Sequence, residues 1–174
     1  REIAKHPNEA VKRIRYALGT KIPFMALAII STVVMTLFLG YEPIIFELVL
    51  IATAVLFLDS VHLLYYGALR GVQRLRFESF GMFFGMFTTG TLGGLVLWLG
   101  PSLHLLVFAL LAGSVVNVLI SIPNAVSVFG NKILVPLFDL KQTKKLLKIA
   151  FPFALAAIFV KVFSYVDTIF ISKM

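Results

Sequence analysis

Five long apolar segments, separated by short polar stretches, dominate the pattern of hydrophobic and polar positions along the 174-residue chain. Each segment is long enough for a helix that crosses a hydrocarbon core, which takes about 20 helical residues. The pattern therefore predicts an all-α fold, a polytopic bundle of transmembrane helices. The predicted helices cover about residues 22–39, 44–66, 77–99, 103–127 and 146–171.

Glycine and proline mark the predicted breaks between these helices. A tight turn is expected at Gly40-Tyr41-Glu42-Pro43, and Gly100-Pro101 is expected to end the third helix. Pro123 is expected to bend or weaken the fourth helix. The second helix is expected to continue beyond the membrane as a basic extension through Arg76.

The first 21 residues are basic and amphipathic. Asn8 follows Pro7 and is a candidate N-cap for a short helix whose apolar face includes Ile14 and Leu18. One interpretation is a helix that lies on an anionic cytoplasmic leaflet, with its basic residues on the other side. The other is an ordinary juxtamembrane loop, and the sequence leaves both open.

Lysine and arginine are concentrated in alternate connections. Six precede the first helix, three follow the second, five precede or begin the fifth, and the two remaining turns have none. Because short cytoplasmic loops are enriched in these residues, the residue 1 side is predicted to be cytoplasmic. The net charge of +8 then reflects topology and does not indicate a nucleic-acid partner. The predicted domains are a cytoplasmic segment (1–21), four transmembrane helices (22–130), a cytoplasmic linker (131–145) and a fifth transmembrane helix (146–174).

Ionisable residues inside the second helix form the first candidate site. Asp59, His62 and Tyr66 share one helical face because they are spaced by three and four residues. Charged groups at membrane depth usually face the interior of a bundle or a pathway. One hypothesis is that Asp59 and His62 carry a proton, since histidine titrates near neutrality. The alternative is a structural hydrogen bond that holds this helix against a neighbour.

A polar stripe on the fifth helix forms the second candidate site. Its members, at helical spacing, are Lys161, Ser164, Tyr165 and Thr168, with Asp167 at the border. Lys161 lies thirteen residues after Lys148, roughly 20 Å along the axis, which is deep for a snorkelling lysine. We expect Lys161 to face a central cavity and to help hold an anionic substrate group. The alternative is an ion pair with a carboxylate such as Asp59.

Small and polar residues of the third and fourth helices are expected to bring helices together. The fourth helix carries Ser114, Asn117 and Ser121 on one face, which are expected to bridge helices by hydrogen bonds, with cavity lining as the second interpretation. In the third helix the spacing of small residues permits close helix contact and equally eases bending. The pairs concerned are Gly81 with Gly85 and Gly90 with Gly94.

Signatures of catalysis are missing from the sequence. It has no Asp-rich magnesium motif, Walker loop, His-rich cluster or serine nucleophile elbow. Cysteine is absent, which excludes disulfides and thiolate metal sites. We therefore expect a protein that is not an enzyme and that uses no metal and no cofactor.

Two stretches resemble the polysaccharide and O-antigen flippases. The end of the second helix, Tyr66-Gly67-Ala68-Leu69-Arg70-Gly71-Val72-Gln73-Arg74, looks like the end of the fourth helix of those proteins. Phe151-Pro152-Phe153-Ala154-Leu155, with Asp167-Thr168-Ile169, is similar to the opening and the close of their seventh helix. Many relatives carry an arginine where this chain has Tyr165, so an ion pair made by that arginine is missing or replaced here.

The resemblance implies an architecture. These flippases share a superfamily with the MATE-type multidrug exporters and the lipid II flippases, and have twelve or fourteen helices in two lobes. On that template the five predicted helices correspond to the third to the seventh, and residues 131–145 link the lobes. Because the chain begins with Arg1 and ends just after a helix, we expect it to be a fragment of a longer transporter.

The resemblance also implies a function. It points to a multi-pass transporter of the cytoplasmic membrane that exports a lipid-linked oligosaccharide or polysaccharide unit by alternating access. The substrate would be a saccharide on an undecaprenyl- or dolichyl-type diphosphate, and H⁺ or Na⁺ would be the coupling ion. Asp167 and the Asp59–His62 pair are the candidate coupling sites. The alternatives are a MATE-type ion-coupled multidrug antiporter, a membrane-embedded glycosyl or acyl transferase, and a non-catalytic membrane scaffold.

Overall fold

The computed structural model describes residues 9–173, with side chains as far as residue 163. Every regular element in this range is helical, which confirms the predicted all-α fold. The chain divides into two units, the first ending at Leu137 and the second beginning at Phe138. The long helices are α1 (Ala10–Phe38), α2 (Pro43–Gly71), α3 (Leu75–Leu99), α4 (Leu103–Phe129) and α5 (Leu140–Lys173), and a short 3₁₀ helix, Asn131–Leu134, follows α4.

All five long helices have the length and the apolar composition needed to cross a membrane, for α5 within Leu140–Phe163. The first four contain 25 to 29 residues, roughly 37–43 Å at a rise of 1.5 Å per residue. This length exceeds a hydrocarbon core of about 30 Å. Large apolar side chains such as Phe38 and Trp98 are exposed, as expected for surfaces that face lipid or other membrane helices. The protein is therefore a multi-pass membrane protein.

Helix α1 begins well before the predicted start at Ile22. It runs without interruption from Ala10 through Pro23, whose ring removes only the hydrogen bond to the Gly19 carbonyl. The amphipathic segment and the first transmembrane helix are thus one helix, and Ile14 on its apolar face is buried in the core of the protein. The predicted helix on the membrane surface is therefore wrong for Ala10 onward. Glu9 is the N-cap residue, without a side-chain cap, and Asn8 lies outside the described residues.

The predicted basic extension of α2 through Arg76 is also wrong. The helix ends at Gly71, and Gln73 adopts the left-handed backbone conformation, with φ of 61°. The backbone N–H of Arg74 then donates to the Leu69 carbonyl at 3.0 Å, which satisfies one of the carbonyls at the end of the helix. Arg76 lies in the first turn of α3. This tight turn makes α2 and α3 an antiparallel pair.

Helix α5 begins at Leu140, inside the segment predicted as a linker. The Asp139 carboxylate accepts the backbone N–H of Lys141 at 2.8 Å, which is the interaction of an N-capping residue. The connection between α4 and α5 is consequently shorter than predicted, and Lys141 to Lys145 are helical. Pro123 lies inside α4 without ending it.

Close packing in the first unit is concentrated at one end of the bundle. There the starts of α1 and α3 meet the ends of α2 and α4, and the fully buried side chains include Ile14, Tyr66, Leu69 and Ile133. We call this the basic end, because the connections there carry the arginines and lysines of the first unit. The α1 residues near the opposite end, such as Leu37, are mostly exposed.

The segment after the 3₁₀ helix is fastened to α1. Arg15 donates from Nε to the Val135 carbonyl at 2.8 Å and accepts the backbone N–H of Leu137 at its own carbonyl at 3.0 Å. A Cβ atom on Gly19 would overlap the Leu137 carbonyl, so only glycine permits this close approach. We name residues 135–137 the strap. It joins the end of α4 to the start of α1.

A candidate polar site between α2, α3 and α4

A partly open pocket of about 490 Å³, with both apolar and polar side chains in its lining, lies between α2, α3 and α4. Its volume falls within the range of small-ligand sites, about 300–1,000 Å³. Five polar side chains contribute to its lining: Asp59, His62, Thr89, Ser114 and Asn117. Three of the residues predicted from the sequence as site candidates, Asp59, His62 and Asn117, therefore meet in one place.

Asp59 connects α2 with α4. The Ser114 hydroxyl donates to Asp59 Oδ1 at 2.6 Å, and Ser114 is buried. His62 Nδ1 lies 3.6 Å from the same oxygen, one helical turn along α2. The predicted structural hydrogen bond to a neighbouring helix is thus present. The transfer of a proton by the Asp59–His62 pair stays a hypothesis at this point.

A second polar connection joins α2 and α4 nearer the basic end. The Tyr66 hydroxyl donates to the backbone carbonyl of Asn117 at 3.2 Å, with the side-chain oxygen of Asn117 at 3.3 Å. The His62 and Tyr66 rings are 5.4 Å apart, which confirms their shared face. The predicted bridging role is therefore confirmed for Ser114 and Asn117. It is wrong for Ser121, whose hydroxyl donates to the Val118 carbonyl of its own helix at 3.2 Å.

Glycines make room for these polar side chains. A Cβ atom on Gly81 would overlap the Tyr66 hydroxyl, and one on Gly85 would overlap the Asn117 amide. Gly113 of α4 faces Gly85 directly, since its Cβ would lie 2.8 Å from the Gly85 carbonyl oxygen. The prediction of close helix contact is confirmed for this first glycine pair of α3. For Gly90 and Gly94 close contact stays a prediction, because a Cβ there would meet no described atom within 4 Å.

An ion pair closes the α2–α3 turn at the basic end. Arg70 Nε donates to Glu78 Oε2 at 2.9 Å, and Arg70 Nη2 also contacts Glu78 Oε1. Glu78 lies in the first turn of α3, where the helix dipole favours a negative charge, and is buried. The sequence analysis missed this pair because it treated Arg70 only as a topology signal. An acidic residue in a basic connection, eight positions after Arg70, was the available clue.

Removing the arginine is expected to destabilise the first unit. In Arg70→Met the carboxylate of buried Glu78 loses both charge-assisted hydrogen bonds, so we expect a loss of about 1–3 kcal/mol. Arg74→Met is the matched control, because it removes a charge from the same turn. Thermal unfolding of both purified variants in detergent provides the measurement. Equal unfolding midpoints for the two variants would contradict the prediction that the Arg70–Glu78 ion pair stabilises the first unit.

A histidine and a carboxylate also lie close together near the opposite end of α2. His104 Nε2 of α4 is 3.5 Å from Glu47 Oε2, and the Glu47 side chain is 66% exposed. This exposure, near the start of α2, indicates an interfacial residue rather than a site. His104 was not identified from the sequence, where nothing distinguishes it from an ordinary residue of a helix start.

The candidate residues of α5 are described only in part. Lys161 is exposed in the described structure and lies within the segment of α5 that is apolar enough to span a membrane. The side chains of Ser164, Tyr165, Asp167 and Thr168 lie outside the described residues. The polar stripe of this helix, and the alternative pairing of Lys161 with Asp59, therefore stay predictions. Among the described residues no group of three or more histidine or acidic side chains is placed to hold a metal ion.

Five helices able to span a membrane, with a pocket between three of them that has polar side chains in its lining, define the class: a polytopic α-helical membrane protein. A sequence family described as polysaccharide biosynthesis protein matches residues 1–174, and the chain belongs to this family. No curated protein and no solved structure matches the chain.

Proposed function

We propose that the protein is a flippase that exports a lipid-linked oligosaccharide or polysaccharide unit across the cytoplasmic membrane. The observation that carries the proposal is the match to the polysaccharide biosynthesis family over all 174 residues, in a chain with five candidate membrane spans. A polysaccharide precursor made on one side of a membrane requires a protein that moves its hydrophilic part across. The proposal places the residue 1 side in the cytoplasm, which is supported by the alternation of basic connections.

Transport proceeds by alternating access in this proposal. Helices α2, α3 and α4 move as one body, because hydrogen bonds and close glycine contacts join them. Cationic groups in a cavity attract the diphosphate of an undecaprenyl- or dolichyl-type carrier, and Lys161 is the residue assigned to this role. Either H⁺ or Na⁺ supplies the driving force. The protein performs no covalent chemistry on the saccharide and is not an enzyme.

A second candidate function is ion-coupled antiport of organic cations. It is favoured by one observation: the pocket between α2, α3 and α4 combines the Asp59 carboxylate with the thioethers of Met82 and Met86. A carboxylate attracts a cation, and flexible methionines adapt to ligands of different shapes. The position of Lys161 in the membrane-spanning part of α5 argues against this function, since a lysine repels cations.

Reconstitution of the full-length protein distinguishes the two functions. Liposomes are prepared with a fluorescent lipid-linked oligosaccharide diphosphate, and a membrane-impermeant glycosidase is added outside. We expect the protected fraction to be lost in vesicles with the protein and retained in vesicles without it. Ethidium uptake is measured in parallel under an imposed pH gradient. Retained protection together with ethidium transport would overturn the flippase and support the antiporter.

A further inference from the structure

Asp59 and His62 lie far from both ends of α2. Asp59 is sixteen residues after Pro43 and twelve before Gly71, or roughly 24 and 18 Å along the helix. An ionisable pair at such a depth is costly and is retained where it has a function or a partner. Ser114 is the partner of Asp59, through the 2.6 Å hydrogen bond from α4. Among the described residues, no side chain forms an equivalent hydrogen bond with His62.

His62 is the unusual member of the pair. Its side chain is 7% exposed, and Nδ1 forms no hydrogen bond with a described side chain. Nδ1 lies 3.6 Å from Asp59 Oδ1, on the lining of the pocket. A buried nitrogen without a partner is energetically unfavourable. The carboxylate oxygen beside it is an acceptor, so a proton on Nδ1 would give this nitrogen a hydrogen-bond partner.

The described surroundings of the pair contain few other charges. On α1, Lys21 donates from Nζ to the backbone carbonyl of Ser60, next to Asp59 in the sequence. The polar pocket residues of α3 and α4 are uncharged, and on α2 the buried tyrosines Tyr65 and Tyr66 follow His62 by three and four residues. Arg70 and Glu78 neutralise each other at the turn beyond Tyr66. Asp59 is therefore the acidic group that a proton on His62 would meet.

We propose that His62 takes up a proton through the pocket between α2, α3 and α4 and pairs with Asp59, and that this pairing weakens the Ser114 contact between α2 and α4. A proton from the bulk solution enters through the pocket and binds the Nδ1 lone pair, and the resulting imidazolium competes with the Ser114 hydroxyl for Asp59 Oδ1. Loss of the proton restores the hydrogen bond between the helices. The site thus couples proton binding to the packing of the bundle, and this coupling rests on the proposed transport function.

The protonation step is tested directly on the full-length protein. Histidine-selective ¹⁵N labelling gives one ring signal pair per histidine, and the signals lost in His62→Gln identify His62. We expect the His62 signals to change from neutral imidazole to imidazolium as the pH falls. In Asp59→Asn the midpoint should move to lower pH by about one unit or more, because an opposite charge within 4–6 Å is removed.

Glu47→Gln is the matched control. Glu47 lies on the same helix and forms the same type of pair with a histidine of α4, at 3.5 Å. This variant should leave the His62 titration unchanged. A neutral His62 at every pH at which the protein is folded would overturn the proposal, and so would equal midpoints in wild type and Asp59→Asn.

The link to transport is tested separately in the glycosidase assay. We expect saccharide flipping to depend on pH in wild type and Glu47→Gln, and to lose this dependence in Asp59→Asn. A wild-type protein that flips no saccharide, but whose His62 titrates as expected, overturns the proposed function and leaves the proton site supported. Flipping with the same pH dependence in Asp59→Asn overturns the coupling alone.

Discussion

Replacing Lys161 with glutamate in the full-length protein is expected to reduce saccharide export by about tenfold or more, the equivalent of 1.4 kcal/mol or greater. Lys161 follows twelve consecutive uncharged residues of α5, from Ile149 to Val160, and lies within the membrane-spanning segment. A cation at that depth attracts a diphosphate, whereas a carboxylate repels it. Lys161→Ala should reduce export less, because it removes the attraction without adding repulsion.

The control for this prediction is Lys148→Glu, a change of the same charge near the start of the same helix. Export is measured in cells and in liposomes, after normalising to the amount of protein in the membrane. Wild-type export by both Lys161 variants would refute the assignment. A structural pairing of Lys161 with Asp59 predicts a different result, because the double exchange Asp59→Lys with Lys161→Asp would then restore export lost in either single variant.

The second large effect is expected from the addition of one methyl group at Gly113. In Gly113→Ala the new Cβ would meet the Gly85 carbonyl at 2.8 Å and overlap the Thr89 hydroxyl. Backbone atoms of α3 cannot move away without separating the two helices, so we expect a destabilisation of about 1–3 kcal/mol. The pocket between α2, α3 and α4 would be deformed at the same time, since Gly113 lines it.

Gly94→Ala is the control, and its expected effect on the stability of the protein has the opposite sign. A Cβ at this position of α3 meets no described atom within 4 Å. Alanine is a better helix former than glycine by up to about 1 kcal/mol, so the variant should be as stable as wild type or more stable. Thermal unfolding in detergent compares the two. If Gly113→Ala were as stable as Gly94→Ala, the described contact between α3 and α4 would be wrong.

Hydropathy was sufficient to predict that the helices exist, but it did not predict all of their ends. The break at Gly100-Pro101 was correct because both residues disfavour a continuing helix. Helices α1 and α5 begin earlier than predicted because their first turns are polar, and apolar content does not report on those turns. The capping residue Asp139 was a local signal for the start of α5 that the pattern of hydrophobic positions did not include.

The candidate site was predictable only within one helix at a time. Helical spacing placed Asp59, His62 and Tyr66 on one face, which is a property of the sequence alone. The partner of Asp59 is 55 positions away, on α4. Ser114 was recognised as polar and as a bridging residue, but nothing in the sequence states which carboxylate it would contact. The register between α2 and α4 decides this, and Gly113 and Gly85 set how closely α4 approaches α3.

The strap gives the first unit a mechanical asymmetry. Residues 135–137 hold the start of α1 at the basic end. Buried side chains of α1, α2, α4 and the 3₁₀ helix also pack together there. Near the opposite end α1 retains few buried residues, with Thr36 as an exception. We therefore expect α1 to be held more firmly at the basic end than at the opposite end. A small rotation of α1 about its fastened start would displace its opposite end, and the short turn at residues 39–42 would pass that displacement to α2.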